Sequence, residues 1–513
     1  MNLSSSKAPT IALTLVSAIW LSIVCVLAQR FNVPSSDGIL YSLPLAHAKH
    51  PFDLGVPYLN DFEGYGSSWG HQWPGSMWLR ALVFMILPYS RVADVAVLSL
   101  FQLLTAFTAT GLVFRATAKV IPSLAALVMI LSDRLLLLAC TGNRFESPAV
   151  ALVLLLFANA VTDFSRHHRG WRWLILVAAF LCPTLHPYGL ALGGLILSYE
   201  ILVIRSQPDR SRVELMARLA AFTSGCAALI LWFLAQPDAW TQFAANMALQ
   251  KSFYQNWNSV VAGLGNYRIW GGPVLWGAGL ICVCMLVAGW PKAKREGALP
   301  LSTAWRFLAP VLFLTVILIH TVTRCENFTY LAFGSPFAVM MVCIAATRLV
   351  ACMPPPIRWI PAVSIASITL LHASILPHRL LQFWKAGMPD MHQTYSNVLR
   401  ALPPGRTVFI PHSLWPAATE DNAHNIRWFT FPIASRKEVR ENYEQLAYAN
   451  VKPGDILVIE NSGAGKPDRF GLYPTFKTTP PDPAHWRHLR THRQIFAGAI
   501  PWGIDLSVYE FSE

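Results

Sequence analysis

The feature that most limits how this chain can fold is a series of long apolar runs. They lie at about residues 10–29, 93–114, 121–140, 147–162, 172–186, 187–204, 219–236, 272–290, 305–321, 329–347 and 359–377. A helix needs roughly 20 predominantly apolar residues to cross a bilayer, so the runs predict eleven membrane-spanning helices in a mainly α, polytopic bundle. Composition agrees: of 513 residues, 54% are hydrophobic and 13% charged, against about 25% charged in soluble domains. The first run follows "MNLSSSKAPT" with no clear cleavage site before Arg30, and reads as a retained signal anchor. The 19 tryptophans suit interfacial belts.

The segment 75–89, "GSMWLRALVFMILPY", is apolar but short, carries Arg80 in its middle and ends at Pro88. It reads as an interfacial helix lying on the membrane. Charge placement supports this. With the N-terminus inside, the inner loops carry Arg115 and Lys119; Arg166, Arg169 and Arg172; Arg205, Arg210, Arg212 and Arg218; Lys292, Lys294, Arg295 and Arg306; and Arg348 and Arg358. A spanning 75–89 would move "FRATAK" and "SRHHRGWR" outside, against the positive-inside rule. The same rule accounts for the net charge of +13, which in a soluble chain would suggest nucleic acid; no nucleic-acid partner is expected.

Two outer loops are long, 30–92 and 237–271. From about 380 the charges become frequent and balanced in sign. There "GRTVFIPH", "GDILVIEN" and "IDLSVYEF" read as strands and "SRKEVRENYEQLAYAN" as a helix. The expected division is a bundle over 1–379, its first outer loop carrying interfacial helices, and a small outer α/β domain over 380–513. The nine cysteines show neither a disulfide framework nor zinc spacing; the sequence names no metal but leaves a divalent ion open. "SGAGKPD" lacks the full phosphate-loop spacing and reads as a loop.

Ionisable residues at the ends of membrane helices are costly unless used or solvated, and on the outer side they recur. Asp37 follows the first span; with Ser35 and Ser36 it fits a helix N-cap, and it equally fits a base held at the membrane surface. "TGNRFESP" offers Arg144 and Glu146, as a solvated surface pair or as site residues. "TLHPYG" puts His186 at a polar helix junction, and "HTVTRCENFTY" adds His320, Arg324, Glu326 and Tyr330, with Arg324 either a headgroup anchor or a phosphate ligand. Asp53, Asp61 and Glu63 read as solvated turn residues. Carboxylates, arginines and histidines gathered at one face are what transfer from a phosphate-bearing lipid donor needs: a base for the acceptor hydroxyl and cations for the leaving phosphate.

The layout resembles the GT-C superfamily of polyprenyl-phosphate-sugar-dependent glycosyltransferases, in the branch holding protein O-mannosyltransferases and the lipid A aminoarabinose transferase. The resemblance covers most of the chain. It rests on an acidic residue and amphipathic helix after the first span ("SDGILYSLPLAHAKHPFD"), and on the approach to a second interfacial helix ("WGHQWPGSMWLRALVFMIL"). An acidic residue after the third span ("GNRFESPAVALVLLL") and a C-terminal outer domain complete it. The resemblance implies that Asp37 is the catalytic base and that Glu146 is the second-loop acidic position. The chain departs from the pattern at Gly38, where many relatives have a Glu after the Asp. It departs again before Pro74, where the aminoarabinose transferase has a lysine and this chain has His71, Gln72 and Trp73. Arg144, Arg324 and His71 are the substitute cations for the donor phosphate.

The expected function is therefore an integral membrane glycosyltransferase, moving a sugar from a polyprenyl-phosphate donor to a hydroxyl of a glycan, lipid or protein on the outer face. No cofactor is expected beyond the lipid-linked sugar as co-substrate. Asp37 and Glu146 are its catalytic candidates, and Arg144, Arg324, His71, His186, Tyr330 and Glu326 its substrate-binding candidates. The rivals are a transporter or flippase for a lipid-linked or anionic substrate, and a non-catalytic envelope assembly scaffold. The sequence shows neither an inverted repeat nor paired broken helices at mid-membrane. The plan favours a bacterial inner membrane, with the C-terminal domain periplasmic, over the endoplasmic reticulum.

Overall fold

The computed structural model describes residues 8–30, 73–142, 144–164, 169–206, 212–235, 277–281, 301–322, 328–385, 387, 390–410, 414–418, 421–428, 451–460, 484–496 and 502–512; structural statements below concern those residues. Helices dominate: α1 (Ala8–Arg30), α2 (Pro74–Phe84), α3 (Arg91–Thr117), α4 (Val120–Leu131), α5 (Arg134–Thr141), α6 (Glu146–Thr162), α7 (Arg169–Leu185), α8 (Pro187–Ser206), α9 (Arg212–Ala235), α10 (Leu301–Val322), α11 (Ser335–Cys352), α12 (Trp359–Ala373), α13 (Ile375–Lys385) and α14 (Met391–Arg400). A 3₁₀ helix, Phe328–Phe333, precedes α11. Three of these, α3, α9 and α11, are individually long and apolar enough to cross a bilayer, and α4 with α5 makes a bent fourth. Large apolar side chains stand exposed on the outside of the helices, among them Ile19, Leu231, Leu234, Leu318 and Leu370. Such a surface suits hydrocarbon rather than water. This is a membrane protein. The run 272–290 lies largely outside the described residues.

Two apolar runs are less regular than their sequence suggests. The run 121–140 breaks between α4 and α5 with a bend of 43°. Asp133 causes the break: its side chain accepts the backbone N–H of Leu136 at 2.9 Å and so caps α5. Side chains from neighbouring helices add donors to the carbonyls at the bend. Gln102 of α3 donates to Ile130 O at 3.0 Å, and Trp20 of α1 donates to Leu131 O at 3.0 Å. Backbone groups inside a bilayer have no water to turn to, so a break of this kind needs such partners. The run 329–347 begins as the 3₁₀ helix and becomes α-helical only at Ser335.

Buried charges are not confined to one end of the bundle. Arg218 lies inside α9 and donates to both carboxylate oxygens of Glu200 on α8, at 3.1 and 3.2 Å, so it is not the loop charge that the sequence suggested. At the bend, His372 Nε2 stands 3.3 Å from Asp133 Oδ2.

Beyond residue 400 the described chain forms one five-stranded sheet in the order β2-β1-β3-β5-β4. The strands are β1 (Thr407–Ile410), β2 (Asn425–Trp428), β3 (Ile456–Glu460), β4 (Trp486–Phe496) and β5 (Trp502–Phe511). β1 runs parallel to β2 and β3, while β5 runs antiparallel to β3 and β4. The strands read from the sequence are β1, β3 and β5. Alternation sends Val408, Ile410, Ile456, Val458, Leu506 and Val508 to one face, where they pack with Tyr395, Val398 and Leu399 of α14. Leu457, Ile459 and Trp486 form a smaller cluster on the other face. Gly454, at φ 88°, turns the chain into β3, and Asp455 secures the turn by accepting Lys452 N–H at 2.8 Å. The segments "SRKEVRENYEQLAYAN" and "SGAGKPD" lie outside the described residues.

Candidate active site

The end of the bundle where α5 finishes and α6 begins collects the described candidates. The chain leaves α5 at Thr141, and Arg144 N–H bonds back to Ala139 O at 2.9 Å. That turn delivers Arg144 and then Glu146, the first residue of α6, into the protein interior: they are 1% and 0% exposed. A solvated surface pair is thereby excluded. Arg144 donates to Glu146 Oε1 through both Nε, at 2.9 Å, and Nη2, at 2.7 Å. Thr329 of the 3₁₀ helix donates to the same oxygen at 2.9 Å. Glu146 Oε2 is enclosed and accepts no hydrogen bond. The arrangement is held from below, where Ser147 Oγ donates to Leu98 O of α3 at 2.9 Å, and from the side, where Arg91 Nη2 reaches Thr141 O at 3.3 Å.

His186 occupies the break between α7 and α8 and is 1% exposed. Its Nδ1 accepts the backbone N–H of Tyr188 at 3.0 Å. A nitrogen that accepts carries no proton, so the neutral ring holds its proton on Nε2; that N–H is enclosed and has no partner. The rings of Tyr330, Phe333 and Phe145 stand 4.7, 4.8 and 4.9 Å from the His186 ring. Phe145 sits in sequence between Arg144 and Glu146, and Tyr330 follows Thr329, so the ion pair and the aromatic cluster form one continuous site. It offers a bare carboxylate oxygen and a bare N–H donor beside aromatic faces, a set able to accept from and donate to hydroxyl groups.

A second buried pair lies beside this site. Arg80 of α2 and Asp94, in the first turn of α3, are both 0% exposed. Arg80 Nε donates to Asp94 Oδ1 at 2.6 Å, and Nη2 pairs with Oδ2. Arg80 thus turns into the protein, while Met77 and Ala81 pack against Leu229, Trp232 and Phe233. α2 is thus docked on the bundle through its charged residue. Gly75 rests so closely on Thr184, two residues before His186, that a Cβ there would lie 2.2 Å from Thr184 Oγ1.

Sequence reasoning missed Thr329 and Asp94. An arginine in the middle of an apolar helix was the available signal for Asp94, because such a charge needs a buried partner; nothing local marks Thr329. Of the other candidates, Asp37, His71, Arg324 and Glu326 lie outside the described residues, and His320 is buried in α10. Among the described residues no group of three or more His, Cys, Asp or Glu side chains comes together to hold a metal.

The bundle of apolar helices with broken elements at one end, the short helix docked across that end and the mixed sheet near the C-terminus make up a fold that solved structures share. Among the solved structures that share it are crystal structures of ArnT from Cupriavidus metallidurans. In the apo state ArnT matches with a TM-score of 0.51 and 13% identity, over 98% of both chains. Bound to undecaprenyl phosphate it matches with a TM-score of 0.53 and 14% identity, again over 98% of both chains. At these identities the likeness is one of fold. No protein-family model matches the chain, and no curated protein matches it by sequence.

Proposed function

We propose that the protein is an integral membrane glycosyltransferase that moves a sugar from a polyprenyl-phosphate donor to a hydroxyl of a glycan, lipid or protein. The observation that carries this reading is the likeness, over 98% of both chains, to a protein crystallised with undecaprenyl phosphate. The enclosed pair Arg144–Glu146, beside an aromatic cluster with unused hydrogen-bonding atoms, supports it locally. In the proposed reaction the acceptor oxygen attacks the anomeric carbon as the carbon–oxygen bond to phosphate breaks. The configuration inverts, the acceptor's proton goes to Asp37, and the polyprenyl phosphate leaves with the bonding electrons. Arg324 and His71 are the cations assigned to the departing phosphate. Arg144, with two nitrogens already given to Glu146, contributes charge rather than a fork of new bonds. Glu146, held by Arg144, orients the acceptor, and His186, Tyr330 and Glu326 complete the substrate contacts.

The same reading places the protein in a bacterial inner membrane with eleven spans. The N-terminus is inside, the site faces the periplasm, and residues 380–513 form a periplasmic domain. The test is the lipid pool of a deletion strain. A polyprenyl-phosphate-linked sugar should accumulate there, identified by mass spectrometry, and the wild-type gene but not the Asp37→Asn variant should clear it. An unchanged pool, or substrate uptake into proteoliposomes that survives Asp37→Asn, would overturn the reading in favour of a scaffold or a transporter.

A further inference from the structure

We infer that Thr329 is a positioning residue that holds the Glu146 carboxylate turned so that Oε2 stays available to substrate; the inference rests on the glycosyltransferase reading. An arginine meeting a carboxylate commonly forms two parallel bonds, one nitrogen to each oxygen. Here Nε and Nη2 of Arg144, at 2.9 and 2.7 Å, converge on Oε1, and the Thr329 hydroxyl joins them at 2.9 Å. One oxygen thus takes three donors, while its twin, equally enclosed, takes none. A buried carboxylate oxygen without a donor is costly, so the group has every reason to rotate and share Arg144 between its two oxygens. Thr329 opposes that rotation. Its hydroxyl comes from a separate element, 183 residues along the chain, and the residue is 2% exposed, so water does not compete for it. Rotation would bring Oε2 under Arg144 and close it to a substrate hydroxyl. A carboxylate pinned from both sides through one oxygen keeps the other in a defined direction.

The test compares Thr329→Val, which has nearly the same shape without the donor, with Thr329→Ser, which keeps it. Turnover of the lipid-linked sugar that accumulates in the deletion strain is measured in membranes carrying each variant. Thr329→Val should lower kcat about tenfold, the scale of one hydrogen bond to a charged group, leave the donor KM unchanged and lower the unfolding midpoint by a small, measurable amount. Thr329→Ser should recover most of the loss. Wild-type turnover in Thr329→Val, or equal losses in Val and Ser, would overturn the inference while leaving the glycosyltransferase reading intact. A fully active Glu146→Gln would instead count against Glu146 and so against the site reading itself. Unfolding midpoints supply a readout that needs no substrate. Thr329→Val and Glu146→Gln should be non-additive when combined, and additive shifts would overturn the inference whatever the reaction.

Discussion

Arg80 and Asp94 form a bidentate ion pair in which neither side chain is exposed, and the pair ties α2 to the first turn of α3. Burying two charges is expensive, and a well-packed apolar pair of similar volume often does as well or better for stability. What the ion pair adds is direction: a fork on a carboxylate fits in one orientation. That orientation sets α2, and with it the end of the first loop, against the α7–α8 break that holds His186.

Breaking the pair from one side should therefore be severe. Asp94→Asn leaves a buried guanidinium without its counter-charge and should cost about 3–5 kcal/mol, read as a lowered unfolding midpoint in detergent. The double change Arg80→Met with Asp94→Leu should restore most of that stability, yet leave turnover low because α2 is no longer held in one orientation. A double variant as unstable as the single one would contradict this account.

Asp37 separates two readings by one conservative change. Asparagine caps a helix as well as aspartate, so a capping role predicts a nearly harmless Asp37→Asn. A general base is worth about 10²–10⁴-fold, and the proposed mechanism predicts a loss of that size with expression and unfolding midpoint near wild type. Near-normal turnover would end the catalytic assignment.

The two arginines should behave differently. Arg144→Ala strands Glu146 in the interior and should lower stability and turnover together, by about 3–5 kcal/mol in stability. Lysine should rescue it only in part, because it lacks the fork. Arg324→Ala should weaken donor binding by about 1.5–3 kcal/mol, with the unfolding midpoint nearly unchanged. Unaltered binding of undecaprenyl phosphate to the Arg324→Ala protein would remove that residue from the phosphate site.

Topology is open to a direct test. A reporter fused after Glu513 should read as periplasmic and one inserted near Lys294 as cytoplasmic. Both on one side would refute the eleven-span arrangement.

The contact of α7 with α9 depends on a glycine. A Cβ at Gly225 would lie 2.0 Å from Phe180 O and 2.8 Å from Pro183 Cγ, and the carbonyl is backbone that cannot swing aside. Gly225→Ala should thus cost about 1–3 kcal/mol as the helices separate. Gly111→Ala, where a Cβ would meet nothing within 4 Å, should be neutral or slightly stabilising, since alanine is the better helix former. Equal midpoints for the two variants would refute the close-packing account.

The sequence by itself determined what depends on neighbours along the chain. Apolar runs made helices at each predicted span within the described residues, because run length and hydrophobicity are local properties. Alternating patterns marked β1, β3 and β5; β4, "WRHLRTHRQIF", escaped because an edge strand full of charges has no apolar period to read. The gathering of Arg144, Glu146, His186 and Tyr330 was also legible, since all four stand at helix ends on the same side of the predicted bundle.

Only the tertiary structure decided how those residues are used. Arg144 and Glu146 are two positions apart, yet whether they face water or the interior depended on helices that come before and after them. Thr329 reaches Glu146 across 183 residues, and Asp94 meets Arg80 through the docking of one helix on another. Asp133 breaks an apparently continuous span where Trp20 and Gln102 stand ready to donate to carbonyls at the bend. Hydrophobic burial is non-directional and can be read from composition. Hydrogen bonds and buried charge pairs are directional, and their partners exist only once the helices have packed.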